Sequence, residues 1–225
     1  MPPNYESRSF ERPVTLRAAP EGASGPGILT GYGAVFNSES RDLGGFVEVI
    51  APGAFGAPDN SGELAVGALN LTLHGRVMAR LNHASAQLLG TSDIGTLRMF
   101  VDDIGLRYEV DLPDTTYARD LAVLAARGDI RYSSFAFRTN PGGDVWSYNL
   151  SDQLVRTVTS VTLVDVAPVA DPAYWAATSE LARSFDLDAI RASIQTPPPA
   201  PAGEWERAAH ERGLAISNRI KKGHA

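Results

Sequence analysis

Ser134, His83 and Asp165 are three residues whose types could together carry out acyl transfer. A serine hydroxyl is a weak nucleophile until a base takes its proton. A histidine serves as that base when a carboxylate orients its ring and stabilises the imidazolium. Ser134 lies in the run Arg131-Tyr132-Ser133-Ser134-Phe135-Ala136-Phe137-Arg138. Read as a strand, the run sends Ser133, Phe135 and Phe137 to one face and Ser134 and Ala136 to the other. The Ser134 hydroxyl then stands beside a small residue on an uncrowded face, with room for a bulky substrate. His83 continues the apolar parity of the segment before it, so its ring is expected on the core side or in a cleft. Asp165 interrupts Val161-Thr162-Leu163-Val164-Asp165-Val166 on the parity of Val161 and Leu163. A carboxylate there is costly unless it is paired or hydrogen-bonded. Each residue also has an ordinary reading: a strand serine, a satisfied strand-end histidine, an edge charge that blocks aggregation. Spacing alone does not bring them together.

Other chemistries find less support. The chain has no cysteine, which removes disulfides, thiolate metal sites and a cysteine nucleophile, and fits a reducing compartment. A net charge of −6 over 225 residues argues against nucleic acid as the main partner. There is no Gly-x-Ser-x-Gly elbow and no Walker loop, and Gly31-x-Gly33 lacks the third glycine of a dinucleotide site. His74 and His83 could share a metal with Asp93 or Asp102, but no recognised ligand spacing supports it. No cofactor or metal is therefore expected. No apolar run approaches the roughly 18 residues of a membrane span. Met1 to Arg12 has no signal-like apolar core, so a cytoplasmic protein is expected.

The elements that must position these residues are mostly short strands. Val14 to Ala18 is the one strand expected in a Pro- and Gly-rich arm, residues 1–27. Gly31 to Phe36 and Phe46 to Ile50 follow, and residues 56–64 read as loop. Leu69 to His83 reads as one long strand or two broken at Gly75. Leu97 to Val101 alternates. Leu106, Tyr108, Val110 and Leu112 alternate with Arg107, Glu109 and Asp111, the cleanest half-buried strand in the chain. A helix starts after Pro113, capped by Asp114 or Thr115. It carries Tyr117, Leu121 and Leu124 on one face and stops at Gly128. Asp144 to Leu150 reads as strand or turn, and Leu154 to Val169 as a long β-branched run ended by Pro168 and Pro172. Residues 176–195 are helical by composition. Thr196 to Pro201 holds four prolines in six residues and reads as a linker, with a short helix from Glu204 to Lys222. The pattern is mainly β (α+β), an antiparallel sheet or barrel with a few flanking helices.

In order along the chain, several segments resemble the prohead (capsid maturation) protease family of tailed bacteriophages. Gly31-Tyr32-Gly33-Ala34-Val35-Phe36-Asn37 is similar to that family's opening strand. Glu48-Val49-Ile50-Ala51-Pro52-Gly53-Ala54-Phe55 is similar to its Glu-x-Ile-x-Pro-Gly-Ala-Phe segment. Leu81-Asn82-His83, followed by Leu89-Gly90, resembles the Asn-His motif that carries the catalytic histidine. Gly105-Leu106 resembles a strand start. Arg127-Gly128-Asp129-Ile130 through Ser134-Phe135-Ala136-Phe137 resembles the segment of the nucleophilic serine. Leu163-Val164-Asp165-Val166-Ala167-Pro168-Val169, then Pro172-Ala173-Tyr174, resembles the closing strand. The sequence departs from the family where Ala84 follows the histidine, Ser133 precedes the serine, and Asp165-Val166-Ala167 stands for Glu-Val-Ser.

The resemblance implies a closed antiparallel β-barrel like the herpesvirus assembly protease, with Ser134 as nucleophile and His83 as base. Asp165 would be the third member, one methylene shorter than the family's glutamate. The expected domains are an arm (1–27), a protease domain (28–195), a Pro-rich linker (196–203) and a tail helix (204–225). The expected activity is serine endopeptidase, without cofactor. Its substrates would be the scaffolding part of the major capsid protein and the protease itself, in the host cytoplasm inside the assembling prohead. The portal and a second copy of the chain are further expected partners, with neither nucleic acid nor membrane among them. Backbone amides would hold the oxyanion. Arg156 could assist, although a solvent-exposed strand arginine is the plainer reading. A histidine base implies activity that falls on acidification. The competing reading is an inactive protease-like barrel serving as an accessory in capsid assembly.

Overall fold

A computed structural model describes residues 5–22, 24–57, 62–64, 75–171 and 185–195. Its elements are β1 (Glu6–Glu11), β2 (Thr15–Arg17), β3 (Ile28–Val35), β4 (Val47–Ile50), β5 (Met78–Arg80) and a 3-10 turn (Leu81–His83). Then come β6 (Leu88–Thr91), β7 (Leu97–Val101), β8 (Gly105–Asp111), α1 (Thr116–Arg127), β9 (Tyr132–Thr139) and β10 (Asp144–Tyr148). β11 (Leu154–Val158), β12 (Val161–Val169) and α2 (Leu187–Gln195) complete the order. The fold is thus mainly β with two helices among the described residues. Two compact units are distinguished, Met1–Leu187 and Asp188–Ala225. Expectations for His74, for residues 65–73 and for the 196–225 tail lie outside the described residues.

Among the described residues, three sheets build the first unit. One runs β1-β9-β12-β5-β6, a second β2-β3-β8-β7, and a third β10-β11-β4. Most pairs are antiparallel, but β12 lies parallel to β5 and β11 parallel to β4. Two of the sheets are therefore mixed, and β2-β3-β8-β7 is wholly antiparallel. β8 follows its alternation: Leu106, Tyr108 and Val110 are fully buried, while Arg107 and Glu109 form a surface ion pair. On β9 the same period stacks Phe135 and Phe137 with centroids 4.7 Å apart, and Phe10 and Phe55 pack on Phe135. The helix α1 ends as expected at Gly128, whose φ of 79° suits a residue without Cβ. Its N-cap is Thr115, but no side-chain bond closes the cap.

Two expectations change. The run Leu154 to Val169 is two strands, because the ladder breaks at Thr159–Ser160, whose amides both bond the Gly143 oxygen, and β11 and β12 enter different sheets. The arm holds a second strand, β1, paired in register with β9 from Glu6↔Phe137 to Glu11↔Tyr132. β1 is mostly polar because charge pairing docks it together with the aromatic contact of Phe10 on Phe135. Arg8, 4% exposed, gives Nε and Nη2 to the two Glu48 oxygens at 2.7 and 2.9 Å. Glu6 accepts from Arg8 at 2.6 Å and from Arg156 at 2.7 Å, and Arg156 also reaches Glu48 and Asp144.

Burial alone would push the Glu6 carboxyl up. The hydrogen bond from Arg156 and the charges of Arg8 and Arg156 outweigh it and hold the carboxyl below its ordinary range. A depressed folded value means the stabilisation is complete above the unfolded glutamate range and lost as pH falls through the folded value. Glu6→Gln is expected to cost about 1–3 kcal/mol at neutral pH. Melting curves of parent and variant should converge in acid, where the parent's Glu6 is also neutral. A gap that persists there would refute this account.

Gly31 on β3 is the close-approach point of the interior. A Cβ there would lie 2.5 Å from the Tyr108 hydroxyl oxygen and 2.7 Å from Ser133 Oγ. Those two hydroxyls bond each other at 3.0 Å in the core. Gly31→Ala should therefore cost about 1–3 kcal/mol by overpacking, read as a lower urea midpoint with an unchanged slope.

Candidate active site

β9 presents Ser134 as its alternation predicts. Ser133 faces the core and bonds Tyr108, while Ser134 faces the opposite way and is fully buried. Burial pushes the Tyr108 phenol up, so that group stays neutral. Two acceptors reach Ser134 Oγ: His83 Nε2 at 2.7 Å and the Arg8 backbone oxygen of β1 at 2.8 Å.

Asp165 reaches this face through an irregularity in β12. Register runs Leu163↔Phe137 and then Asp165↔Ala136, where an unbroken ladder would pair Asp165 with Phe135. This bulge inverts the parity after Leu163. Val161 and Leu163 stay on the core face, and Asp165 moves to the face of Ala136 and Ser134. The expectation that Asp165 shares the face of Val161 and Leu163 is therefore corrected. Its carboxylate is fully buried and paired: Oδ1 takes His83 Nδ1 at 2.7 Å, and Oδ2 takes Arg80 Nη1 at 2.9 Å.

His83 also arrives by a different route than strand parity implies. β5 ends at Arg80, and the chain passes through the left-handed region at Asn82 (φ 53°) and His83 (φ 58°). Such values are uncommon for residues with a Cβ and persist only where the surroundings hold them. Here Asn82 Oδ1 accepts the Ala170 amide at 3.0 Å, tying the turn to the end of β12. The His83 ring, 17% exposed, then bridges Ser134 and Asp165.

Sequence reasoning missed Arg80, which pairs with a carboxylate on the strand beside its own. The available signal was Asp165 itself, a buried anion in need of a cation as well as an imidazole. Arg156 is corrected: it is 2% exposed and locked among carboxylates rather than lying on the surface. Asp93 pairs with Arg76, and Asp102 accepts from Tyr32, so neither joins His83. Among the described residues no three His, Asp or Glu side chains gather to hold a metal, and no helix is long and apolar enough to cross a membrane.

A carboxylate, an imidazole and a hydroxyl in hydrogen-bonded series form the arrangement used by serine acyl-transfer enzymes. The chain belongs to the caudovirus prohead serine protease family, whose model matches residues 14–191. That family's role is capsid maturation by a serine peptidase. No curated protein and no solved structure matches the chain.

Proposed function

We propose that the chain is a serine endopeptidase acting through Ser134, His83 and Asp165. The observation that carries this reading is the unbroken series of two 2.7 Å contacts from Ser134 through His83 to Asp165. His83 Nε2 takes the hydroxyl proton as Ser134 Oγ bonds the peptide carbonyl carbon. The tetrahedral intermediate expels the amine, which leaves with that proton. Water then gives a proton to Nε2 and its oxygen to the acyl carbon, and the ester bond to Ser134 breaks as the proton returns to Oγ. Asp165 keeps Nδ1 protonated and Nε2 free to accept.

The substrate is the scaffolding part of the major capsid protein, together with the protease itself, inside the assembling prohead in the host cytoplasm. The family match supports this reading. The three sheets are read as parts of a closed barrel like that of the herpesvirus assembly protease, spanning residues 28–195. An arm (1–27) precedes it, and a linker (196–203) and tail helix (204–225) follow. Portal and a second copy are secondary partners. Complete burial of Ser134 favours a second reading, an inactive protease-like assembly accessory.

Co-expression with the capsid protein of the same phage separates the two readings. The peptidase shortens that protein, in the presence of chelators as in their absence, and intact mass gives the sites. An unchanged capsid protein would support the accessory reading.

A further inference from the structure

The strand that seals Ser134 is held as a bound peptide would be. Arg8 of β1 directs its backbone oxygen to Ser134 Oγ at 2.8 Å. From the same residue, the guanidinium crosses to the other face of the sheet and meets both oxygens of Glu48, itself 3% exposed. One residue thus offers a peptide carbonyl to the hydroxyl and a cation to a buried carboxylate. The hydroxyl has a single proton, so donation to Arg8 denies it to His83 Nε2, 2.7 Å away. With β1 in place, Ser134 is closed to an acyl donor. The family match begins at residue 14, beyond the last residue of β1, so the seal lies outside the matched segment.

We propose that the edge of β9 now covered by β1 is the substrate-binding site: an extended peptide replaces β1 there and places a basic side chain against Glu48. The inference rests on Ser134 being the nucleophile. Departure of β1 removes Glu6 and Arg8 together, leaving Glu48 and Asp144 facing Arg156 alone. A buried carboxylate stripped of its bidentate partner is strongly destabilised. A substrate strand restores the balance when it brings a guanidinium or ammonium, and an acidic residue in that register is rejected. β1 is then both the guard of the site and a copy of what it accepts.

The absence of native cysteine permits a reversible test on the full chain. Glu11 and Tyr132 are register partners, and antiparallel partners sit about 4.5–5.5 Å apart at Cα, within disulfide range. Glu11→Cys combined with Tyr132→Cys staples β1 to β9 when oxidised. A fluorophosphonate reagent that reacts with activated serine then reports access to Ser134. The oxidised form is expected to label at least tenfold more slowly than the reduced form, and the reduced form at the parental rate. Equal labelling in both redox states overturns the guarded site. No labelling of the parent or of either form overturns the nucleophile assignment, and the proposal with it.

A peptide copying residues 5–12 should protect Ser134 of the reduced form at a concentration at least tenfold lower than the same peptide carrying Arg8→Glu. Equal protection by the two peptides overturns the role given to Glu48.

Discussion

Ser134→Ala is expected to lower peptide cleavage about a million-fold while the protein stays folded, because a nucleophile's removal costs about as much as removal of the whole catalytic series. The hydroxyl lies within hydrogen-bond distance of two acceptors, His83 Nε2 and the Arg8 backbone oxygen, and its one proton serves one of them at a time, so its loss costs stability of order 1 kcal/mol. The neighbouring serine supplies the contrast. Ser133→Ala leaves the buried Tyr108 hydroxyl without its partner and should cost about 1–3 kcal/mol, with cleavage within a few-fold of the parent. Rates on a capsid-derived peptide and urea midpoints for both variants check the pair. Parental turnover by Ser134→Ala would remove that residue from the mechanism.

Asp165→Asn should lower kcat by about ten-thousand-fold. The amide can turn its NH2 group toward Nδ1, which moves the imidazole proton to Nε2, and the nitrogen facing Ser134 then cannot accept. This variant also leaves Arg80 without its carboxylate, and breaking a buried pair costs about 3–5 kcal/mol, so its thermal midpoint falls as well. Arg80→Gln separates the two effects. It removes the charge on Oδ2 while the Asp165–His83 bond remains, and about a tenfold loss in kcat with little change in KM is expected, in the range of outer-shell partners. If Asp165→Asn retains more than a tenth of parental kcat, Asp165 holds structure rather than chemistry.

Local alternation made β8 and β9 legible, because each buries one face and the aromatic or aliphatic side chains mark it. The placing of Ser133 and Ser134 on opposite faces was legible for the same reason, and the structure separates the two by face. β1 escaped because Glu-Ser-Arg-Ser-Phe-Glu has the composition of a solvated arm. Its burial depends on Glu48 and Arg156, distant in sequence, and pairing of that kind leaves no local period. Arg80 was hidden likewise, since an arginine at a strand end reads as surface until its carboxylate is located. The break at Thr159–Ser160 carries no glycine or proline, so two strands read as one run. Asp165 was singled out correctly as an anomaly, but on the wrong face, because a bulge is a property of pairing rather than of the strand that carries it.

That irregularity in β12 acts as a phase shifter. Before it, odd-numbered residues line the interior; after it, even-numbered ones do, with Val166 fully enclosed and Asp165 turned to His83. One strand thereby serves two frames, and the frame in which its second half is read is set by Val164, which is left without a place of its own in the ladder. Drawing Val164 into an unbroken ladder would keep every chemical group and exchange their destinations, sending the carboxylate against Phe135 and the isopropyl group of Val166 toward the imidazole, whereas deleting Val164 would leave Asp165 opposite Ala136 and Val166 opposite Phe135. The chemistry at this site depends on where β12 accommodates its extra residue as much as on residue identity.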